Sequence, residues 1–439
     1  MQRAPMRRIA AASAVGTTLE WYDFALYNAM AGLVFNKIFF PSFDPLAGTL
    51  LAFSTYAVGY MARPLGGIIC GRLGDIIGRR PLLIATVSLM GATTTLIGLL
   101  PGYDAIGVLA PMVLVLLRLI QGVALGGEWA GAVLLSVEHG RSDRRGINAS
   151  WSQCGTPAGT LLATGALALT TYLTTSADFV AWAWRIPFLI SVALMFFGLW
   201  LRRSISETPQ FLALEASSET SEAPVSEVLR QFWPRVLVGC SIKFGPDAFY
   251  NLVVTFSLTY MTQVLSLERS TALSAVSLGS FANLLAIPLF GALSDRWGRR
   301  SIYMIGVALA IGWTFAFFQL IDTRLSIPIA LAVIIGLIIH ASMWGPQSSF
   351  ITEQFPARLR YTGSSLSYTF AGFVAGATPA VLVALLREYH GSLMPSLYVT
   401  FLLMVTAGAV LAAGRLREPI EAMGVVATDH TEIGGERAI

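Results

Sequence analysis

Over 439 residues the chain is 55% hydrophobic and only 12% charged, with a formal net charge of +4. A water-soluble domain carries about 25% charged residues, and half that fraction leaves too little polar surface to keep such a chain in water, so lipid is the expected solvent for most of it. The basic residues fall in short turns and build no continuous patch, which argues against nucleic acid as a partner, and Cys70, Cys154 and Cys240 stand singly, with neither metal-ligand nor disulfide spacing.

The N-terminal MQRAPMRR is basic and runs into apolar sequence that continues through Phe39. That is too long for a signal peptide and reads as a first transmembrane helix. A helical span needs about 20 residues, and on that measure the sequence predicts twelve spans: 10–36, 48–70, 81–101, 107–136, 148–173, 185–202, 236–262, 271–293, 302–321, 326–351, 362–386 and 393–414. The expected fold class is an all-α membrane protein made of two six-helix bundles, 1–202 and 236–414. A linker at 203–235 joins them, and a polar, loosely ordered tail is expected over 415–439.

Arginines collect in the even-numbered gaps and at both ends, among them Arg3, Arg72, Arg79, Arg80, Arg144, Arg145, Arg202, Arg203, Arg299, Arg300, Arg358, Arg417 and Arg437. The opposite side holds only Lys37, Arg185, Arg269, Arg324 and Arg387. This asymmetry places both termini in the cytoplasm of a multi-pass inner-membrane protein. The stretch from Ser204 to Glu227 reads as a partly helical cytoplasmic linker.

One turn is repeated. GRLGDIIGRR at 71–80 returns as GALSDRWGRR at 291–300, and Gly71, Asp75, Gly78, Arg79 and Arg80 recur in step as Gly291, Asp295, Gly298, Arg299 and Arg300. Glycine lets helix ends approach closely, the aspartate can face the positive N-terminus of a neighbouring helix, and the arginines hold the turn at the interface. A charged turn of this spacing, repeated once, resembles the loop of major facilitator superfamily transporters between the second and third helices and the eighth and ninth. The resemblance implies a latch between the two halves on the cytoplasmic side, made by Asp75, Arg79, Arg80, Asp295, Arg299 and Arg300. Glu138 and Glu353 are the expected ion-pair partners within that gate.

Charges within the spans each cost on the order of 3 kcal/mol or more at the bilayer centre unless they meet a cavity or a partner. The sequence predicts seven: Glu20, Asp23, Arg63, Arg118, Glu128, Lys243 and Asp247. Arg118, Gln121 and Glu128 share a helix face but lie too far apart along it for the two charges to pair. Glu20, Asp23 and Tyr27 form a stripe on the first span. In KFGPDAFYN, Lys243, Asp247 and Tyr250 line one face of the seventh span, and Gly245 and Pro246 interrupt the backbone ladder, as helices at substrate sites often do. His340, Trp344 and Gln347 form a stripe on the tenth. Arg63, near the end of its span, reads as structural.

The stretches GTTLEWYDFALY, RPLGGIICGRLGDIIGRR, RLIQGVALGGEWAGAVLLSVE and WRIPF together resemble the metabolite:proton symporter family of the superfamily, most closely in the N-terminal half. Members carry shikimate, 2-oxoglutarate, citrate, aromatic acids and zwitterions such as proline and betaine. By this resemblance Asp23, Arg118 and Glu128 belong to the proton and substrate pathway. The in-span charges, four acids against three bases, leave one acid unmatched, which a proton would neutralise. The function expected is proton-coupled uptake of a small organic acid by a monomer, with Arg118 and Lys243 as anion contacts and Glu20, Asp23, Glu128 or Asp247 as proton carriers. Gln121, Tyr27, Tyr250, His340, Trp344 and Gln347 are further candidates for the substrate site. Uptake of a zwitterionic osmolyte and export of a drug-like compound by proton exchange are the alternatives. No enzyme motif such as HExxH or GxSxG occurs, and neither a cofactor nor a metal is expected.

Overall fold

In lipid every backbone N–H and C=O must be satisfied within its own segment, so long apolar runs become helices. The computed structural model describes residues 6–42, 45–217 and 224–415. Its long helices are α1 (Met6–Met30), α2 (Pro45–Ile76), α3 (Arg79–Leu99), α4 (Leu109–His139), α5 (Gly155–Leu173) and α6 (Arg185–Arg203). They continue with α7 (Trp233–Tyr250), α8 (Arg269–Trp297), α9 (Arg299–Ile321), α10 (Ser326–Thr352), α11 (Arg360–Tyr389) and α12 (Leu393–Arg415). A lead-in helix, Arg145–Gln153, precedes α5. Two short helices, Pro209–Ala216 and Pro224–Gln231, lie in the linker.

These bounds follow the expected spans, with α2, α4 and α8 running on past the apolar limit into the polar turns. Eight of the helical segments are long and apolar enough to cross a membrane by length and composition alone. Among the described residues, α1, α2, α5 and α7 fall outside this set; Glu20 and Asp23 dilute α1, and Lys243 and Asp247 dilute α7. Pro246 lies inside α7 without ending it, and the N–H of Gly245 turns sideways to Thr406 Oγ1 at 2.9 Å. The greater irregularity comes later, as a π-helical turn at Asn251–Phe256. The tail expected after Arg415, including Arg417 and Arg437, lies outside the described residues, as does Arg3.

Packing repeats between the first six helices and the last six. The pairs α1 with α5, α2 with α4, α3 with α6 and α3 with α4 recur as α7 with α11, α8 with α10, α9 with α12 and α9 with α10. Between the two sets, α2 lies on α11, while α5 and its lead-in helix lie on α8. Small residues allow this: a Cβ at Gly122 or Gly126 would run into the α2 backbone at Gly59 or Arg63. Large apolar side chains such as Phe196, Trp200, Leu285 and Leu309 face outward, as expected where the solvent is hydrocarbon.

Candidate functional site

The two repeated turns lie at one end of the molecule. Gly78 and Gly298 both take positive φ, 102° and 85°, a conformation in which glycine is unstrained. Each turn reaches across to the other helix set. Asp75 accepts the backbone N–H of Tyr361 at 3.3 Å and of Thr362 at 2.9 Å, at the start of α11. Asp295 accepts those of Gly146 at 2.7 Å and Ile147 at 3.0 Å, at the start of the lead-in helix. Both carboxylates thus cap helix N-termini, where orphan donors and the helix dipole favour negative charge. Burial pushes the Asp75 carboxyl up to about 6, against the opposing pull of Arg79 and of those donors, which leaves it ionised at neutral pH.

The expected ion pairs form around these caps. Arg79 lies 3.6 Å from Asp75 and 3.4 Å from Glu138, which also faces Arg360 at 3.9 Å. Arg299 lies 3.5 Å from Asp295 and 2.7 Å from Glu353, which faces Arg145 at 4.0 Å. Arg80 and Arg300 stay apart from this exchange. Arg80 binds the linker instead, donating from its backbone to Glu207 at 2.9 Å and from its side chain to the Arg203 carbonyl at 2.9 Å. Arg300 is exposed and lines a cavity of about 410 Å³ with Asp143, Asp295 and Arg299.

Within the helices, every acid predicted in the spans has a base beside it. Glu20 meets Arg63 at 2.8 Å and Asp23 meets Arg118 at 2.6 Å. Lys243 bonds to Asp247 one turn on, and Glu128 bonds to Arg202. Arg202 changes the charge count: it is 2% exposed, inside the protein, so four acids face four bases and no acid is left unmatched. Two adjacent arginines closing an apolar run read as an interfacial anchor, and nothing in the sequence ties the first of them to Glu128. Arg63 likewise joins the buried set, its guanidinium lying over Phe24 at 4.4 Å and over Tyr60 at 4.3 Å.

Arg118 is held on three sides. It donates to Asp23 and to Gln121 Oε1, and it lies over the Tyr27 ring at 3.3 Å. Thr94 closes the circuit, donating to Asp23 at 3.0 Å and accepting from Gln121 at 2.8 Å. Glu128 also accepts from Thr86 at 2.6 Å. Its pair with Arg202 fits only because α1 presents Gly16 there, since a Cβ at that position would overlap both side chains.

Lys243 and Asp247 sit where the two helix sets face each other. The ammonium lies 4.4 Å from the Tyr368 ring and 5.6 Å from that of Trp344. Tyr368 stacks on Trp129 of α4 at 4.0 Å. Tyr250 packs edge-on against Trp21 of α1 at 5.7 Å and beside His340 at 5.2 Å, and His340 in turn lies 5.1 Å from Trp344. Asn283, which the sequence gave no reason to single out, approaches His340 Nδ1 at 3.3 Å. Several buried polar atoms here have no hydrogen-bond partner among the described residues: Trp21 Nε1, Asn283 Oδ1, His340 Nε2, Trp344 Nε1 and Gln347 Oε1. Gln347 uses its other end to donate to the Tyr303 hydroxyl at 3.2 Å. Buried polar groups are ordinarily paired, and orphans gathered beside an ion pair and several aromatic rings are the groups a small polar solute would satisfy.

Comparison with known proteins identifies the family and the fold. The sequence profile of the Major Facilitator Superfamily matches residues 14–380. The chain is 38% identical to the shikimate transporter of Escherichia coli (strain K12) over 390 residues, covering 88% of this chain and 89% of that protein. It is 30% identical to the proline/betaine transporter of the same strain, covering 93% of this chain and 83% of that one. Among solved structures it resembles the proton:xylose symporter XylE bound to 6-bromo-6-deoxy-D-glucose, with a TM-score of 0.78 at 16% identity, covering 95% of this chain and 98% of the other.

Proposed function

This chain belongs to the major facilitator superfamily and is a multi-pass membrane transporter of small molecules, and we propose that it couples uptake of a small organic acid to proton entry across the inner membrane. Two bundles, 1–202 and 236–414, joined by the linker at 203–235, rock about a central site. Both termini and the turn-bearing end are cytoplasmic in this reading, and the protein works as a monomer.

The matched set of four intramembrane ion pairs carries the proposal. A proton on one carboxylate frees its base, and that base can then take the substrate's carboxylate, so loading one proton with one anion keeps the interior neutral. At the three arginine pairs no comparable step opens a carboxylate to a cation, because guanidinium groups keep their protons at any working pH. This favours an organic anion over the drug-like cation of an exporter. The Lys243–Asp247 pair is the natural anion contact: it lies between the helix sets, beside the unpartnered donors of Trp344 and Trp21. In this reading Asp247 gives up Lys243 when protonated. Asp23, Glu128 and Glu20 carry protons elsewhere along the route, and Arg118 is a second anion contact.

Replacing Asp247 with Asn separates coupling from binding. Counterflow of labelled substrate between equal concentrations should persist in Asp247→Asn proteoliposomes, while accumulation driven by external acid should vanish. Undiminished acid-driven accumulation would take Asp247 out of the proton route. A betaine-like zwitterion is the second reading, favoured by Trp344 and Tyr368 beside one cation, with Trp129 stacked behind Tyr368, rings that can face a quaternary amine.

A further inference from the structure

Away from the central site, a groove of about 610 Å³ runs between α2 and the linker helix Pro224–Gln231, lined by Ile68, Arg72, Val225, Ser226, Leu229 and Arg230. Its two walls differ in kind. On α2, the exposed residues Met61, Leu65, Ile68 and Ile69 recur at helical spacing and form an outward apolar stripe. One turn beyond it comes Arg72, also exposed. Across the groove, Ser226 and Arg230 stand one turn apart on the exposed side of the linker helix, with the large apolar Leu229 beside them. No ion pair to Arg72 or Arg230 is formed among the described residues. The acid nearest in sequence, Glu227, is engaged by Arg358 at 2.5 Å.

We propose that this groove binds an anionic phospholipid, its phosphate held between Arg72 and Arg230 and an acyl chain laid along Ile68, Leu65 and Met61. A greasy track ending in two guanidinium groups at the membrane boundary has the polarity profile of one lipid: hydrocarbon below, phosphate at the interface. A soluble protein partner would leave the α2 stripe without its match, and a free phosphate would leave Leu229 facing water. The position also gives the lipid leverage. The linker helix touches α2 on one side and α11 on the other, beside the α11 start that Asp75 caps. A lipid in the groove ties the linker to α2 and so reinforces the closed latch.

The test is native mass spectrometry of the full-length protein in detergent, titrated with phosphatidylglycerol or phosphatidylcholine. Each arginine near an anionic headgroup contributes roughly a factor of five, so the wild type should retain phosphatidylglycerol on the order of twentyfold better than phosphatidylcholine. Arg72→Gln/Arg230→Gln should erase that preference, Arg72→Lys/Arg230→Lys should keep most of it, and inorganic phosphate should not displace the lipid. Should the double Gln variant fail to fold, Arg230→Gln alone, outside the membrane, should lose about fivefold. An unchanged preference in the Gln variants, or displacement by inorganic phosphate, overturns the proposal.

Discussion

Asp75, in the last turn of α2, accepts the backbone N–H of Thr362 at 2.9 Å, 287 residues along the chain. The second copy of the turn mirrors this when Asp295 takes the N–H of Gly146 at 2.7 Å. Each half therefore supplies the carboxylate that caps a helix in the other. With the Glu138–Arg360 and Glu353–Arg145 contacts, these caps join the two helix sets at this end.

Asp75→Asn should loosen this end without unfolding the protein, since the amide keeps one acceptor but loses the charge. A charge-assisted hydrogen bond contributes about 1.5–3 kcal/mol, so the ratio of closed to open molecules should fall roughly tenfold or more. Cys154, buried between the lead-in helix and α8, reports on it: with Cys70 and Cys240 replaced by Ala, maleimide should label Cys154 several times faster in Asp75→Asn. An unchanged labelling rate would remove the capping role.

The Glu128–Arg202 pair predicts a non-additive cycle. Glu128→Gln alone leaves a buried guanidinium uncompensated, and Arg202→Met alone leaves a buried carboxylate. Each should destabilise by about 3–5 kcal/mol. The double variant Glu128→Gln/Arg202→Met should recover much of that in thermal unfolding, yet still fail to accumulate substrate under a proton gradient. Additive losses would mean that the pair has no coupling energy.

Gly16 offers a purely steric test of the same pair. Its missing Cβ is the space in which Glu128 and Arg202 meet, so Gly16→Ala should lower thermal stability by about 1–3 kcal/mol through overpacking. Gly16→Leu should prevent accumulation of folded protein. Gly165 of α5, with nothing within 4 Å of its Cβ position, is the control and should accept Ala without loss.

Arg118→Lys keeps the charge but not the shape. A flat guanidinium satisfies Asp23 and Gln121 while lying on Tyr27, and an ammonium on a thinner stem cannot do all three. Transport should drop by at least tenfold, with insertion and detergent elution unchanged. Wild-type uptake in Arg118→Lys would reduce the site to a point charge.

Much of the fold was legible because lipid leaves so few options: apolar runs had to be helices, and their ends followed the charges. The helix caps were legible from Asp75 and Asp295, whose recurrence exposed the repeat. The pairing was not. Arg202 looks in sequence like half of an Arg-Arg anchor, and only the packing of α6 against α3 and α1 turns it inward onto Glu128. Arg63, read as structural, pairs with Glu20 inside the protein, a partner that its place near the end of a span does not reveal. Glu207, which meets Arg80 at the first turn, sits in a polar linker where no periodicity marks it. Such contacts depend on which helices meet, and one sequence does not state that directly.

The central claim is that a proton and an organic anion enter together through one site. Its most direct test is uptake of radiolabelled shikimate, dicarboxylates, benzoates and betaine into proteoliposomes under imposed pH gradients. The account predicts that acid outside drives accumulation of at least one carboxylate and that collapsing the gradient releases it. Accumulation driven only by acid inside, or of none but a cation, would contradict it.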